Sequence, residues 1–363
     1  MKSFDEIFVD KTKYGVKVQT TEYSEVGEHI IIDQGQSQIA GYTDRQEGLF
    51  EEVPVVIFGD HTRVIKYVDE PFFLGADGVK VLRSKDDNAN YKYLYYALKN
   101  ARIPDTGYNR HFKWLKEVQI NYPDSDKQAE IVDILDNVSS VIKKREDELC
   151  VLDDLIKARF VEMFGDWIKE GGRPLSELAT ITGGLTKNSK REAFNLKMPY
   201  LRVANVFFNR LDLNEIQEIG IRKEEIDKTL LQKGDLLFVE GNGSIEQIGR
   251  VAIWDGSINP ILHQNHLIKA RFSVGTIIPE FALFYFMSQE GRQQIISKSV
   301  STSGLNTLSV NKIGSLILPV PPIILQEQFA DFVHQVDKSK VVVQKALDET
   351  QILFNSLMQQ YFG

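Results

Sequence analysis

One long amphipathic segment occurs twice in this chain, and this repeat restricts the architecture more than any other feature. The first copy covers residues 124–165 and the second covers residues 322–363, and both end in the same Phe-Gly pair. A single constant offset aligns the two copies without a gap, so that Gln128 corresponds to Gln326. Self-similarity at a fixed offset identifies the repeated structural unit. That unit is a variable globular segment followed by a long helix, and it is used twice.

Both copies carry residues at the heptad a and d spacing, which is typical of a coiled coil. The first stripe runs from Ile131 to Met163 and the second from Phe329 to Tyr361. Prolines precede both segments, and Gly165 and Gly363 suit the position that follows the last turn of a helix. We therefore predict a long helix in each copy.

The polar members of one stripe correspond to apolar members of the other. Arg145 in the first copy corresponds to Val343, and Lys340 in the second corresponds to Ile142. This complementarity favours pairing of the two helices with each other, antiparallel if the halves are related by a pseudo-two-fold axis. The alternative is two surface helices, each packed on its own domain.

Composition limits the remaining possibilities. The apolar content of 42% allows each half to bury a core. The single cysteine, Cys150, excludes a disulfide framework, and no apolar run approaches the roughly 20 residues of a membrane helix. We expect a cytoplasmic protein with no membrane partner. The net charge of −8 is weak evidence against DNA binding, because acids cluster on the first long segment.

The globular segments 1–123 and 166–321 mix strand and helix signals, so an α+β class is favoured over a doubly wound sheet. Predicted strands cover 29–32, 53–58, 79–82, 200–203, 235–239 and 250–254, and predicted helices cover 90–99 and 279–287. The two segments close alike, with 107–111 and 304–308 before the last strand, and differ elsewhere.

Several loose motifs in this order resemble the specificity (S) subunit of type I restriction-modification systems. They lie at residues 59–63, 75–78, 107–112, 234–238, 248–250 and 263–266, together with Pro123…Gln128…Ile131 and Pro321…Gln326…Phe329. The resemblance covers essentially the whole chain. It implies target recognition domains at 1–123 and 166–321, and conserved helical regions acting as spacers at 124–165 and 322–363.

The same resemblance implies recognition of a bipartite asymmetric site in double-stranded DNA. The expected partners are two methyltransferase (M) subunits and, in the full complex, the restriction/translocase (R) subunits. We expect no cofactor on this chain, with S-adenosylmethionine and ATP bound by partner subunits only.

Catalytic constellations are not evident in the sequence. It has no P-loop and no Asn-Pro-Pro-aromatic run; Asn259-Pro260 is better interpreted as a turn. Gly241-Asn242-Gly243 lacks the spacing of a dinucleotide loop. Asp60-His61 and the pair His263 and His266 lack a third ligand at suitable spacing for a metal. We therefore expect a non-catalytic protein without a metal site.

Base edges are read by side chains with paired donors and acceptors, and phosphates are bound by basic and hydroxyl groups. Polar loops next to predicted strands supply such residues, although each loop can equally be a solvated turn. The candidate DNA-binding residues are Gln36, Gln38, His61, Thr62, Arg63, Tyr108, Asn109, Arg110, His111, Lys113, Lys187, Asn188, Lys190, Arg191, Arg202, Asn205, Asn242, Gln264, Asn265, His266, Ser303 and Asn306.

Two hypotheses follow from these observations. The first is a non-catalytic DNA-specificity subunit whose two globular segments read separate half-sites. The second is a coiled-coil scaffold or stand-alone DNA-binding regulator that is not coupled to a methyltransferase. Binding of a methyltransferase at the helical regions discriminates between them.

Overall fold

A computed structural model describes residues 1–107, 109–302 and 304–363. The chain forms two compact units. Unit 1 comprises Met1–Asp147 together with Gln344–Gly363, and unit 2 comprises Glu148–Val343. Each unit therefore contains one part of each long helix.

The described residues of unit 1 form a four-stranded, a three-stranded and a two-stranded sheet (Lys2–Ser3 with Gln119–Ile120), short helices, the start of one long helix and the end of the other. Its strands are β1 (Lys2–Ser3), β2 (Phe8–Asp10), β3 (His29–Ile32), β4 (Gly41–Thr43), β5 (Val55–Gly59), β6 (Ile65–Val68), β7 (Phe72–Leu74), β8 (Val79–Ser84) and β9 (Gln119–Ile120). Its helices are α1 (Phe4–Ile7), α2 (Tyr91–Lys99), α3 (Phe112–Leu115) and the start of α4 (Ser125–Lys169).

Unit 1 contains an antiparallel four-stranded sheet and a mixed three-stranded sheet. The order is β2-β8-β5-β6 in an antiparallel four-stranded sheet and β4-β3-β7 in a three-stranded sheet, where β3 and β7 are parallel. Residues 55–58 of β5 are all fully buried, because both faces of this central strand are covered. Helix α2 begins where the Asn90 side chain accepts a hydrogen bond from Tyr93 N at 3.1 Å.

Unit 2 contains more elements. Its strands are β10 (Arg173–Pro174), β11 (Ala179–Gly183), β12 (Lys197–Leu201), β13 (Val206–Phe207), β14 (Arg210–Leu211), β15 (Gln217–Gly220), β16 (Leu236–Val239), β17 (Gly241–Asn242), β18 (Val251–Ile253), β19 (Leu262–His263), β20 (Leu267–Phe272), β21 (Val300–Thr302), β22 (Leu305–Thr307) and β23 (Ile317–Leu318). Its helices are the part of α4 from Glu148 onward, α5 (Leu175–Leu178), α6 (Lys223–Thr229), α7 (Pro279–Met287), α8 (Gln289–Lys298), α9 (Val310–Gly314) and the part of α10 (Ile323–Phe362) up to Val343.

The two units share one sheet topology, although their sequences differ. The order β11-β20-β16-β18 in unit 2 repeats β2-β8-β5-β6, and β15-β12-β19 repeats β4-β3-β7, including its parallel pair. Unit 2 adds the hairpin β13–β14 and the sheet β17-β22-β21. The duplication therefore extends through the globular parts, where the sequence showed it only near the closing loops. The α+β class is confirmed.

In unit 2 the two long helices run antiparallel. The rings of Phe164 and Phe329 lie 5.5 Å apart between centroids, and Lys340 Nζ donates to Asp153 Oδ1 at 2.6 Å. Phe164 of α4 therefore lies beside Phe329 of α10, and Asp153 lies beside Lys340. The residue numbers fall along α4 as they rise along α10, so the two helices are antiparallel. The predicted antiparallel pairing within one chain is confirmed in this unit.

Unit 1 shows the same pairing between the start of α4 and the end of α10. Phe354 and Met358 of α10 are buried in one cluster with Ile131 and Leu135 of α4. Near the end of the chain, the carbonyl oxygen of Tyr361 accepts a hydrogen bond from the side chain of Asn121, just before α4, at 3.3 Å. The end of α10 therefore lies beside the beginning of α4.

Each long helix also packs on the globular part of its unit, so the two alternatives from the sequence are not exclusive. The ring of Phe164 packs edge-on against the ring of Phe281 in α7, with centroids 4.7 Å apart. The ring centroids of Phe362 and of Tyr93 in α2 lie 5.2 Å apart. Phe164 and Phe362 occupy the same position in the two repeats. The repeated helix thus carries an anchor for the globular part as well as a stripe for its partner helix.

A buried glutamine fixes the start of each long helix. Gln326 Nε2 donates to Pro321 O at 2.8 Å, and its Oε1 accepts from Ile278 N at 2.8 Å, just before α7. The corresponding Gln128 donates to Pro123 O at the same distance. These hydrogen bonds satisfy backbone groups where the helix meets the globular part.

The first long helix passes through Gly165, where the sequence predicted its end. Residues up to Lys169 stay helical because Ile168 still packs against the unit 2 core. The left-handed residue after the helix is instead Gly171, with φ of +92°.

We expect Phe164→Ala to lower the free energy of unfolding by about 3–5 kcal/mol, because it opens a cavity among buried aromatic rings. The control Val151→Ala lies on the same helix at a residue that is 64% exposed, and it should change stability by less than about 0.5 kcal/mol. Urea unfolding of the full chain measures both. Equal effects of the two substitutions would show that the aromatic anchor does not hold unit 2 together.

Candidate nucleic-acid interface

Strand direction brings several loops of unit 1 to one edge of its sheets. Strands β2 and β5 are both antiparallel to β8, so they end where β8 begins. Strands β3 and β7 are parallel and end at neighbouring positions, since Gly75 N donates to Ile32 O at 2.8 Å. We call the loops at this end (residues 11–17, 33–38, 60–63, 75–78, 105–107 and 109–111) edge 1. Most of the polar residues selected from the first half of the sequence lie in edge 1.

Gln34 ties three of these loops together. Its Nε2 donates to Asp77 O at 2.9 Å, its Oε1 accepts from His61 N at 3.1 Å, and its backbone oxygen accepts from Thr62 Oγ1 at 2.6 Å. A Cβ at Gly78, which has φ of +95°, would come within 2.5 Å of the Gln34 side chain. His61 and Thr62 are therefore presented from a cross-linked surface.

Cations and carboxylates alternate on edge 1. Lys17 Nζ donates to Asp77 Oδ1 at 2.5 Å, and Arg63 donates to Asp105 Oδ2 at 2.8 Å. The hydrogen bond from Lys17 and its charge lower the pKa of Asp77, with further contributions from Arg110 and His61. Sequence reasoning selected neither Lys17 nor Asp77, although Asp77 lies in the Gly-Ala-Asp-Gly turn that contributed to the family resemblance.

Arg63 adopts a left-handed backbone conformation with φ of 62°. A non-glycine residue in this region is uncommon and is concentrated at functional sites. Its backbone nitrogen donates to Gly59 O at 2.7 Å, which closes the turn after β5. The turn therefore directs the Arg63 side chain towards Asp105 rather than leaving it extended in solvent.

His111 is corrected from a DNA-facing residue to an internal support. Its side chain is 1% exposed, and its Nδ1 lies 3.1 Å from Asp60 O. Asp60 is also buried and accepts a hydrogen bond from Phe112 N at 2.8 Å. These two residues join the turn after β5 to the start of α3, and neither reaches the surface.

The other candidates of unit 1 are solvent-facing to different degrees. Gln36, Asn109, Arg110 and Lys113 are exposed. Gln38 is also exposed, but its amide donates to Tyr67 O at 2.7 Å. Tyr108 lies outside the described residues, as does Ser303 of the second half.

The corresponding edge of unit 2 consists of the loops and short strands after β11, β12 and β16 and before β20 and α9 (residues 184–193, 202–205, 240–250, 264–266, 299–302 and 304–309), which we call edge 2. Leu185 N donates to His263 O at 2.9 Å, and Asn265 N donates to Leu185 O at 3.0 Å. A Cβ at Gly184 would lie 2.0 Å from His263 O, so only glycine allows this close approach. The basic loop is thereby held against Gln264 and Asn265.

Three side chains of the basic loop, Lys187, Asn188 and Lys190, are exposed, but Arg191 is corrected to a structural residue. Arg191 donates to both carboxylate oxygens of Glu225, at 2.7 and 3.0 Å, and to Thr186 O at 2.8 Å. The hydrogen bonds from Arg191 lower the pKa of Glu225 to about 2. This bidentate pair fastens the loop to α6.

Asn205 is also internal, whereas the Arg202 side chain is 20% exposed. Asn205 is 3% exposed; its Oδ1 accepts from Arg202 N at 2.8 Å, and its Nδ2 donates to Asp212 O at 2.8 Å. The Arg202 guanidinium donates to Glu215 Oε1 at 3.1 Å. Asn205 is therefore corrected from a base-reading candidate to a support of the turn after β12, and Arg202 is partly committed to Glu215.

The remaining candidates of edge 2 surround the small added sheet. His266 is exposed, and its Nδ1 lies 2.7 Å from Glu240 Oε2. Asn306 is 8% exposed and donates to Asn242 O at 3.4 Å and to Gly243 O at 3.3 Å, so it is corrected to an internal role. Asn242 is partly exposed beside it, and Gln264 and Asn265 are partly exposed.

Within the described part of the chain, no group of three or more His, Cys, Asp or Glu residues is placed to hold a metal ion. Across the same residues, none of the helices combines the length and apolar character that crossing a membrane requires.

Comparison with known families shows that one family model matches both halves of the chain. The model of the type I restriction modification DNA specificity domain matches residues 10–150 and again residues 172–350. The EcoR124I/EcoR124II specificity subunit of Escherichia coli is 23% identical over 354 residues, which covers 90% of this chain and 83% of that subunit.

Two further relatives match over shorter stretches. The EcoKI specificity subunit of Escherichia coli K12 is 29% identical over 189 residues, or 51% of this chain, and the match spans 39% of that subunit. For the putative MjaX specificity subunit of Methanocaldococcus jannaschii the match spans 43% of the subunit. The crystal structure of a type I restriction-modification S subunit from M. genitalium matches 100% of this chain and 95% of its own, with a TM-score of 0.57 and 17% identity, which shows a shared fold.

Buried His263 gives unit 2 a specific pH dependence. Burial lowers the pKa of His263 to about 4, against 6.5 for an unperturbed histidine, and its Nδ1 lies 2.9 Å from Thr229 O. As pH falls from 6.5 towards 4, the unfolded chain binds a proton that the folded chain does not. We expect this to remove up to about 3 kcal/mol of stability in that window, with no further loss below pH 4.

Urea unfolding of the full chain and of His263→Gln between pH 7 and pH 4 tests this dependence. The variant should lose less stability than the wild type over this range, because its amide does not titrate. Other titrating groups are common to both chains, so the difference between the two curves isolates the histidine. Parallel curves would contradict the assignment.

Proposed function

The chain belongs to the type I restriction modification DNA specificity family, and we propose that it is the DNA-binding specificity subunit of a type I restriction-modification complex. In this proposal unit 1 and unit 2 each bind one half of a bipartite asymmetric site in double-stranded DNA. The long helices dock two methyltransferase subunits, and restriction/translocase subunits join the full complex. Chemistry takes place on those partners, which bind S-adenosylmethionine and ATP.

The observation that carries this proposal is the repeated sheet topology with different residues at the same edge. The loop before β8 in edge 1 is Gly-Ala-Asp-Gly, whereas the loop before β20 in edge 2 is Gln-Asn-His. A common scaffold with unlike polar side chains is the arrangement expected of two surfaces that read different half-sites.

The exposed groups have the chemistry that DNA recognition requires. Lys187 and Lys190 supply positive charge for phosphates next to the amide side chains of Gln264 and Asn265, and amides are the residue type that pairs with adenine in the major groove. On edge 1, Thr62, Asn109 and Arg110 supply a comparable mixture. Affinity would come mainly from the cations and selectivity from the amides.

The long helices carry exposed apolar side chains that support docking of partner subunits. Leu155 of α4 is 46% exposed and its repeat equivalent, Leu353 of α10, is 50% exposed. Ile352, next to Leu353, is 68% exposed, and Val151, one turn before Leu155, is 64% exposed. Equivalent apolar positions in both repeats fit two copies of the same partner, one for each position.

Selection from a randomised duplex library with the full chain tests the bipartite proposal. We expect two conserved sequence blocks separated by an unselected gap. Asn265→Ala should relax base preference in one block only, by roughly tenfold at the affected position, because one base contact is lost. Asn355→Ala, an exposed position on α10, is the matched control and should leave both blocks unchanged. Selection of a single continuous block, or of no sequence, would refute the proposal.

Docking is tested with Leu155→Asp and Leu353→Asp. Each substitution places a charge in the proposed apolar contact and should weaken association with the methyltransferase subunit at least about tenfold. DNA binding by the isolated chain should not change. Val274→Asp, at a fully exposed position in a loop of unit 2, serves as the control. Sedimentation of the mixed subunits measures the association, and unaltered assembly of both leucine variants would place the docking surface elsewhere.

A further inference from the structure

Edge 1 contains a solvent-facing carboxylate within a group of cations. The Asp77 side chain is 90% exposed and accepts a hydrogen bond from Lys17, while the positive charge of Arg110 also acts on it. If edge 1 binds DNA, phosphates approach these cations, and an ionised carboxylate among them repels the phosphates. A residue that weakens binding to every sequence needs a compensating role if it is part of the interface.

The backbone around Asp77 is held rigidly, so its carboxylate is presented at a defined place. Asp77 O accepts from the Gln34 side chain at 2.9 Å, and Ala76 N donates to the Tyr23 hydroxyl at 3.0 Å. Asp60 N donates to Gly78 O at 2.7 Å. The turn is therefore fixed to three other segments of unit 1, as a base-reading group requires.

A structural role does not account for this side chain. Lys17 is 43% exposed, and an ion pair in which both partners are this accessible contributes little to stability. The pair also separates easily, so Lys17 is available to a phosphate and the carboxylate to another donor. Buried carboxylates of the same unit, such as Asp60, make the internal hydrogen bonds that hold the loops.

The repeated topology supplies an independent indication. Asp77 precedes β8 as Gln264 and Asn265 precede β20, so the same position of the fold carries amides in edge 2. Amides pair with adenine, and carboxylates accept hydrogen bonds from the exocyclic amino group of cytosine. One position of the scaffold thus holds base-reading residue types in both units, with different preferences.

We propose that Asp77 is a specificity-determining residue of unit 1, whose carboxylate accepts a hydrogen bond from an exocyclic amino group in the major groove. Cytosine N4 is the expected donor. Lys17 and Arg110 contact the flanking phosphates. The carboxylate repels the phosphates of DNA of any sequence. A hydrogen bond from a base amino group offsets this repulsion only at the matching base pair, so the carboxylate lowers the affinity for other sequences. This inference rests on the proposed function.

Library selection with the full chain, followed by equilibrium binding to the selected duplex and to duplexes changed at single base pairs, tests the proposal. We expect Asp77→Ala to reduce discrimination about tenfold at one base pair of one block, leaving the other block intact. Asp77→Asn should shift the preference at that base pair towards adenine. Both variants should bind unrelated DNA more tightly than the wild type does, because a negative charge has been removed.

Glu47→Gln is the charge control. It removes one negative charge at an exposed residue of unit 1 that lies outside edge 1, so it should leave base preference unchanged, and any rise in affinity should be the same for all duplexes. Thermal unfolding of each variant checks that the fold is retained. If Asp77→Ala and Asp77→Asn raise affinity equally for every duplex, Asp77 acts only by repulsion and the inference is wrong. If the wild type itself selects no sequence, the proposed function fails instead.

Discussion

The anchoring of each long helix by an aromatic residue is the interaction on which the rest of the structure depends. Phe164 packs on Phe281 in unit 2, and Phe362 packs on Tyr93 in unit 1, at the same position of the two repeats. One face of the helix therefore has to satisfy two neighbours, the partner helix and the globular part. Because each helix has to pack on both neighbours, its apolar pattern is similar in the two copies, while the strands have different sequences.

Features with a local signal were predictable, and features that depend on distant pairing were not. Strand β3 and helices α2 and α7 follow from apolar runs and helix-start residues, and the structure places them within a residue of the prediction. The shared topology was missed because β2 pairs with β8 and β3 with β7, across long stretches of chain. The end of α4 was missed because Ile168, three residues after Gly165, packs against the core of unit 2 and extends the helix.

The candidate interface was likewise predictable only where the signal is local in the sequence. Residue type located polar loops beside strands, but it did not distinguish a solvent-facing side chain from a buried one. Arg191 resembles Lys187 and Lys190 in sequence, yet Glu225 lies opposite it, on a helix that is remote along the chain. His111 likewise depends on Asp60, from another turn. Only tertiary contacts show that Arg191 and His111 support the fold, whereas Lys187 and Lys190 are exposed.

The net charge of −8 is consistent with sequence-selective DNA binding once charge is considered locally. Non-specific affinity arises from cations that meet phosphates, and it grows with every unpaired lysine or arginine. On the two edges, Lys17, Arg63 and Arg202 each face a carboxylate, so any phosphate bound there as proposed would compete with an internal partner. A protein that must find one site among many benefits from this competition, because specificity depends on the ratio of affinities rather than on tight binding alone. Under the proposed function, such carboxylates limit binding to the wrong DNA, so the acidic balance of the chain does not argue against that function.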